Sequence, residues 1–153
     1  MNASLRLIAC LALSLLASRV ASATPSATAG DLQIRDAWVR WLPADLPAAA
    51  YLTLVNPSDT DRYLTGGSSP DYNEVMLHES YAMPDGSTGV RHVAKLRVPA
   101  HGEVRLAPGG YHLMLMKARH HIAPGDTVTI QLMFADGRSL TVTLPVKPAG
   151  TRG

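Results

Sequence analysis

Val128-Thr129-Ile130-Gln131-Leu132-Met133-Phe134 and, beyond Asp136-Gly137, Leu140-Thr141-Val142-Thr143-Leu144 alternate apolar and polar residues with a period of two. That is the period of a strand with one face in a core and the other in water, and two such runs around an Asp-Gly turn read as a hairpin. The same punctuation recurs outward from it. Turn signals fall at Pro43-Ala44-Asp45, Asn56-Pro57-Ser58, Gly66-Gly67, Pro84-Asp85-Gly86, Ala100-His101-Gly102, Pro108-Gly109-Gly110 and Pro124-Gly125-Asp126. Between them Tyr51–Val55, Val75–His78, Lys95–Val98 and Val104–Leu106 read as further short strands. No long segment after residue 23 shows a 3.6-residue period, and no internal repeat is visible. The pattern predicts one all-β domain, a β-sandwich or small Greek-key barrel.

The ends of the chain read differently. Residues 1–23 carry Arg6, an apolar run from Leu7 to Ala17 broken only by Ser14, and Ala21-Ser22-Ala23, the pattern of a cleavable secretory signal peptide. Leu7-Ile8-Ala9-Cys10 has the form of a lipoprotein box. Almost no hydrophobic segment precedes Cys10, however, so a lipid anchor is not expected. The expected organisation is signal peptide 1–23, flexible tether 24–30, folded domain 31–147 and flexible tail 148–153. Cleavage would remove Cys10, the only cysteine, together with Arg6 and Arg19, leaving 12 basic against 12 acidic residues. A near-neutral chain without a basic cluster is unsuited to nucleic acid. No Ser/His/Asp arrangement or paired acidic motif points to hydrolysis, and the lack of a thiolate argues against a blue-copper oxidoreductase.

The chemistry gathers in Pro108-Gly109-Gly110-Tyr111-His112-Leu113-Met114-Leu115-Met116, where a turn runs into a strand. Period two puts His112, Met114 and Met116 on one face and Tyr111, Leu113 and Leu115 on the other. In Glu74-Val75-Met76-Leu77-His78 the same argument pairs Met76 with His78. If these strands are neighbours, two imidazoles and two thioethers converge, a donor set that suits monovalent copper and does not suit calcium. Methionine also fills cores, and that competing role is open for Met76 and Met116. His120-His121 is expected in solvent, with a weak divalent copper or zinc site as the alternative, and His92 and His101 in local hydrogen bonds. Glu79 is either a partner that orients His78 or a surface charge, and Trp38 and Trp41 are expected to pack.

These residues resemble the periplasmic copper chaperones of the PCuAC family. That family's motif is His or Met, ten residues, Met, twenty-one residues, then His-x-Met. Pro108 to Met116 matches its end and Leu77-His78-Glu79 its first ligand, with further agreement at Ala37-Trp38-Val39-Arg40, Ala50 to Asn56 and Ser68-Ser69-Pro70. The resemblance runs from about Ile34 to Val146. It implies a cupredoxin-like fold and a non-enzymatic periplasmic monomer without stable membrane insertion. It also implies copper(I) as cargo, delivered by ligand exchange to an acceptor such as an oxidase copper subunit or a thiol-bearing chaperone. The departure is at the central thioether, where counting back from His112 reaches Val90, and eleven residues instead of ten separate His78 from it. The consequence is a weakened site, a three-ligand site of His78, His112 and Met114, or a substitute donor; the favoured substitute is Met83 in the following loop, whose competing role is a loosely packed loop methionine. The competing reading is an interaction module on the same scaffold with a degenerate site.

Overall fold

The structure, a computed structural model, describes residues 28–29, 32–43 and 46–151. The expected signal peptide 1–23, most of the expected tether and residues 152–153 of the expected tail lie outside the described residues. Eleven strands follow in order: β1 (Thr28–Ala29), β2 (Leu32–Arg40), β3 (Ala48–Asn56), β4 (Arg62–Ser68), β5 (Tyr72–Ala82), β6 (Thr88–His92), β7 (Leu96–Val98), β8 (Gly102–Leu106), β9 (Tyr111–Ala118), β10 (Thr127–Phe134) and β11 (Ser139–Lys147). Within the span expected to be a tether, β1 pairs with β2, Thr28 opposite Gln33.

The strands run β6-β5-β9-β3-β2-β11-β10-β4-β7, with β1 added on β2 and β8 on β3. Two layers result, β6-β5-β9-β3-β2 and β11-β10-β4-β7, joined by a short parallel pairing of Val146 with Val39. The hairpin read from the C-terminal alternation is β10–β11, with Val128 opposite Leu144 and Ile130 opposite Val142. Its apolar residues face inward: Val128, Ile130, Leu132 and Leu144 are fully buried and pack with Leu54, Leu64, Leu77 and Leu113 in one core. At ~25 cal/mol per Å² of apolar surface removed from water, this interleaved layer is the main support of the fold.

Two irregularities aim side chains. Gly66-Gly67 forms no turn and lies inside β4, where the pairing with β10 shifts register. Gly66 has φ 143°, and a Cβ on Gly67 would stand 2.9 Å from the Gln131 carbonyl oxygen, so the glycines mark a bulge and a close backbone approach. In β2 the register shifts between Arg35 and Trp38, and Asp36 takes φ 53°. The extra residue reverses the alternation: Ile34 and Val39 face the core while Trp38 turns to the outer face and packs on Tyr51 and Ala49.

Candidate metal centre

Strands β5 and β9 are antiparallel neighbours, and their register sets His78 opposite His112 and Met76 opposite Met114. Directly opposed residues share a face. Leu77 and Leu113 between them point inward and are fully buried, which leaves the two imidazoles and two thioethers on the outer face of the first layer. The His78 and His112 rings stand edge to face with centroids 6.0 Å apart.

The turn before β9 prepares His112. Gly110 donates its N–H to the Ala107 carbonyl, and its own carbonyl accepts both the Ser80 N–H, at 3.0 Å, and a hydrogen bond from His112 Nδ1, at 3.1 Å. A carbonyl can only accept, so Nδ1 carries the proton and Nε2 keeps its lone pair for an electrophile. One carbonyl thus ties β5 to the tautomer of the histidine on β9. On the β3 side Tyr51 lies 6.5 Å from His112, and Trp38 lies 4.8 Å from Tyr51. These aromatic residues wall the site, and His112 is itself buried.

His78 holds no such bond. Its Nδ1 is sealed from solvent with no hydrogen-bond partner, an arrangement that destabilises the folded chain and calls for a reason to be kept. Its pKa is held below the ordinary histidine value, first by burial and then by the nearby His112 and His92. The ring is therefore neutral at pH 7, the state in which imidazole ligates metals. An imidazole free of competing bonds, a second one fixed as a lone-pair donor, and thioethers one ladder step away fit a soft ion.

The remaining candidates fall elsewhere. Met83 follows the last β5–β6 pair, in the turn closed by hydrogen bonds from Met83 N–H to Ser87 and from Gly86 N–H to Met83. It is 38% exposed, and its sulfur accepts a hydrogen bond from Ser87 Oγ at 3.4 Å. Five residues of nearly extended chain, roughly 16 Å, separate it from His78, so the structure does not bring Met83 to the pair. Val90 faces outward on β6 opposite Ser80 and is 48% exposed. Glu79 forms a two-pronged ion pair with Arg91, at 2.6 and 2.8 Å, and is no partner of His78. His101 pairs with Asp59 at 2.7 Å. The exposed His120 hydrogen-bonds the His121 carbonyl and Asp71.

His92 departs from its sequence reading. Instead of a local hydrogen bond it stands directly opposite His78, with ring centroids 5.8 Å apart and edge to face. A row of three imidazoles therefore crosses β6, β5 and β9. The row is open, since among the described residues no three His, Cys, Asp or Glu side chains are gathered closely enough to hold an ion by themselves. The signal was present in the sequence: His78 and His92 are equidistant from Asp85, the middle of the Pro84-Asp85-Gly86 turn.

Solved structures similar to this one share the architecture. The CuI form of DR1885 from Deinococcus radiodurans is 34% identical with a TM-score of 0.59, covering 83% of this chain and 81% of that one. Its apo form is 30% identical with a TM-score of 0.60, over 99% of this chain and 100% of the other. The apo PCuAC domain of PmoF2, 23% identical, matches in fold with a TM-score of 0.66 over 83% of this chain and 98% of that domain. The fold and the His/Met face thus define the class as a cupredoxin-like PCuAC domain. Within it, residues 32–146 match the LpqE-like lipoprotein family, and the chain belongs to that family. Lxx21020 of Leifsonia xyli subsp. xyli, whose name describes it as a lipoprotein, is 31% identical over 124 residues, 81% of this chain and 74% of that protein. No helix among the described residues is long and apolar enough to cross a membrane.

Proposed function

We propose that this chain is an exported, non-enzymatic copper(I) chaperone whose ligands include His78, His112 and Met114. The observation that carries the reading is the register that puts His78 opposite His112 and Met76 opposite Met114 on one outer face, with His78 Nδ1 left unpartnered. The copper-loaded state named for DR1885, a relative 34% identical, supports copper as the cargo. Neutral nitrogen and thioether donors hold monovalent copper with few ligands and discriminate against hard divalent ions. The Trp38–Tyr51 wall shelters one side while β6 is the edge of its layer, so an acceptor approaches over β6 and adds a donor before the chaperone releases its own. Transfer is ligand exchange without a free ion. The acceptor is a copper-site protein outside the cytoplasm, an oxidase copper subunit under assembly or a thiol-bearing chaperone, and the monomer delivers to it in the periplasm.

The test is an anaerobic copper(I) titration of residues 24–153 against a coloured chelator. Tight one-to-one binding that is lost in His112→Ala and in Met114→Ala is the expected result. Failure of the unaltered domain to compete for copper would leave the exposed Val90 as the mark of a degenerate site, and the chain as an interaction module.

A further inference from the structure

We infer that His92 supplies the ligand that Val90 cannot, so that copper sits over a row of three imidazoles, His92, His78 and His112, completed by the Met114 sulfur. This rests on the copper-binding reading above and identifies its missing donor. An imidazole nitrogen binds an ion of this kind at about 2 Å, so two rings sharing one ion have centroids no more than about 6 Å apart. Both neighbours of His78 meet that limit, His92 at 5.8 Å and His112 at 6.0 Å; His92 and His112 stand two strands apart, ~9.5 Å, so a shared ion requires the His92 ring to turn inward over His78. His78 is therefore flanked symmetrically by donors on adjacent strands.

Two features single out His92 among the candidates. It lies on β6, the strand that carries Val90, and two residues further along, so its side chain leaves the same face of the sheet. It is also exposed at the edge of the layer and makes no hydrogen bond among the described residues, so its ring can swing over His78 and close the open row at the cost of only its edge-to-face contact with that ring. Met83 is occupied by Ser87 in the hairpin turn. Met76 is half-buried opposite Met114 and occupies the ladder step away from Val90.

The substitution changes the chemistry of the site. A set with two sulfurs favours copper(I) strongly, whereas three nitrogens and one sulfur also satisfy copper(II), because imidazole is a good ligand for both states. The domain then has donors suited to copper in either oxidation state.

The experiment compares the unaltered domain with His92→Gln, Met76→Leu, Met83→Ala and the double variant His92→Gln/Val90→Met. Copper(I) competition gives the affinities, and electron paramagnetic resonance of the copper(II) form counts the coordinated nitrogens. His92→Gln should lose about tenfold or more in copper(I) affinity and fall from three coupled nitrogens to two. Adding Val90→Met should restore copper(I) affinity without restoring the third nitrogen, while Met76→Leu and Met83→Ala change neither readout. Unchanged affinity and nitrogen count in a folded His92→Gln domain would overturn the assignment, as would loss of copper in Met76→Leu or Met83→Ala alone. If the unaltered domain binds neither oxidation state, the copper-binding reading itself fails, an outcome separate from the failure of His92.

Discussion

Replacing His78 with leucine should stabilise the copper-free domain and weaken its hold on copper, because the features that suit this ring to a metal are liabilities without one. His78 Nδ1 is buried without a partner, and an unsatisfied buried polar group costs about 1–3 kcal/mol. Leucine has a similar bulk and no polar atom to satisfy. Allowing for some repacking strain at a half-buried site, the net gain should be about 1 kcal/mol. Urea denaturation with a copper chelator at pH 8, where the imidazole is neutral in both states, should show the midpoint rising by roughly 0.3–1 M. Acid should widen the difference. The native His78 pKa is depressed, by burial first and then by His112 and His92, so near pH 6.5 the unfolded chain binds more protons than the native one. The unaltered protein therefore loses stability as pH falls through 6.5 toward the native pKa, and the leucine variant escapes that loss. Copper(I) should reverse the order, since free ligand at a hundred times its dissociation constant adds about 2.7 kcal/mol to whichever protein binds it. A leucine variant that is less stable at pH 8 without copper would refute the reasoning and make His78 a structural residue.

Three other outcomes follow from separate parts of the molecule. Leu113 is fully buried between the proposed ligands His112 and Met114, so Leu113→Ala should cost about 2–5 kcal/mol in urea denaturation. The His120 pKa is raised, chiefly by its hydrogen bond to Asp71 and also by the His121 carbonyl. Its contribution is present below pH 6.5 and lost as pH rises through the native pKa. Asp71→Asn should lower the His120 pKa seen by NMR and show a larger stability deficit at pH 6 than at pH 9. Finally, mass spectrometry of the exported protein should find a new N-terminus near Thr24. A diacylated Cys10 in the membrane fraction would replace the cleavable-signal reading with a lipid anchor.

The sequence was most legible where one face of a strand is buried and least legible where register decides. Alternation in β10 and β11 gave their inward faces directly, because Val128, Ile130 and Leu132 have only one way to enter a core. It gave the shared face of Met76 with His78 and of His112 with Met114 for the same reason. Apart from the β10–β11 hairpin, partner strands followed only from the three-dimensional arrangement. Gly66-Gly67 reads as a turn locally, yet the close passage of β10 makes it a bulge. Trp38 could be assigned a packing role but not a direction, since its outward aim depends on the extra residue at Asp36. The only signal for His92 is its spacing from His78 about the Pro84-Asp85-Gly86 turn, and its significance lies in standing opposite His78.

The placement of these side chains bears on how a carrier can be selective and still release. Ligands on mobile loops would pay conformational entropy at each loading, whereas His78, His112 and Met114 project from paired strands whose alternate residues, Leu77 and Leu113, are locked in the core. Rigid support of this kind fixes donor positions before the ion arrives. The Gly110 carbonyl extends that order to protonation, because the bond that fixes the His112 tautomer shares its acceptor with the backbone N–H of Ser80. Release must then come from the side that is least fixed, which is β6, at the edge of its layer and bearing the exposed Val90 and His92. An incoming donor that displaces His92 would meet an ion still held by two imidazoles and a thioether. On the proposed reading, exchange would proceed one bond at a time.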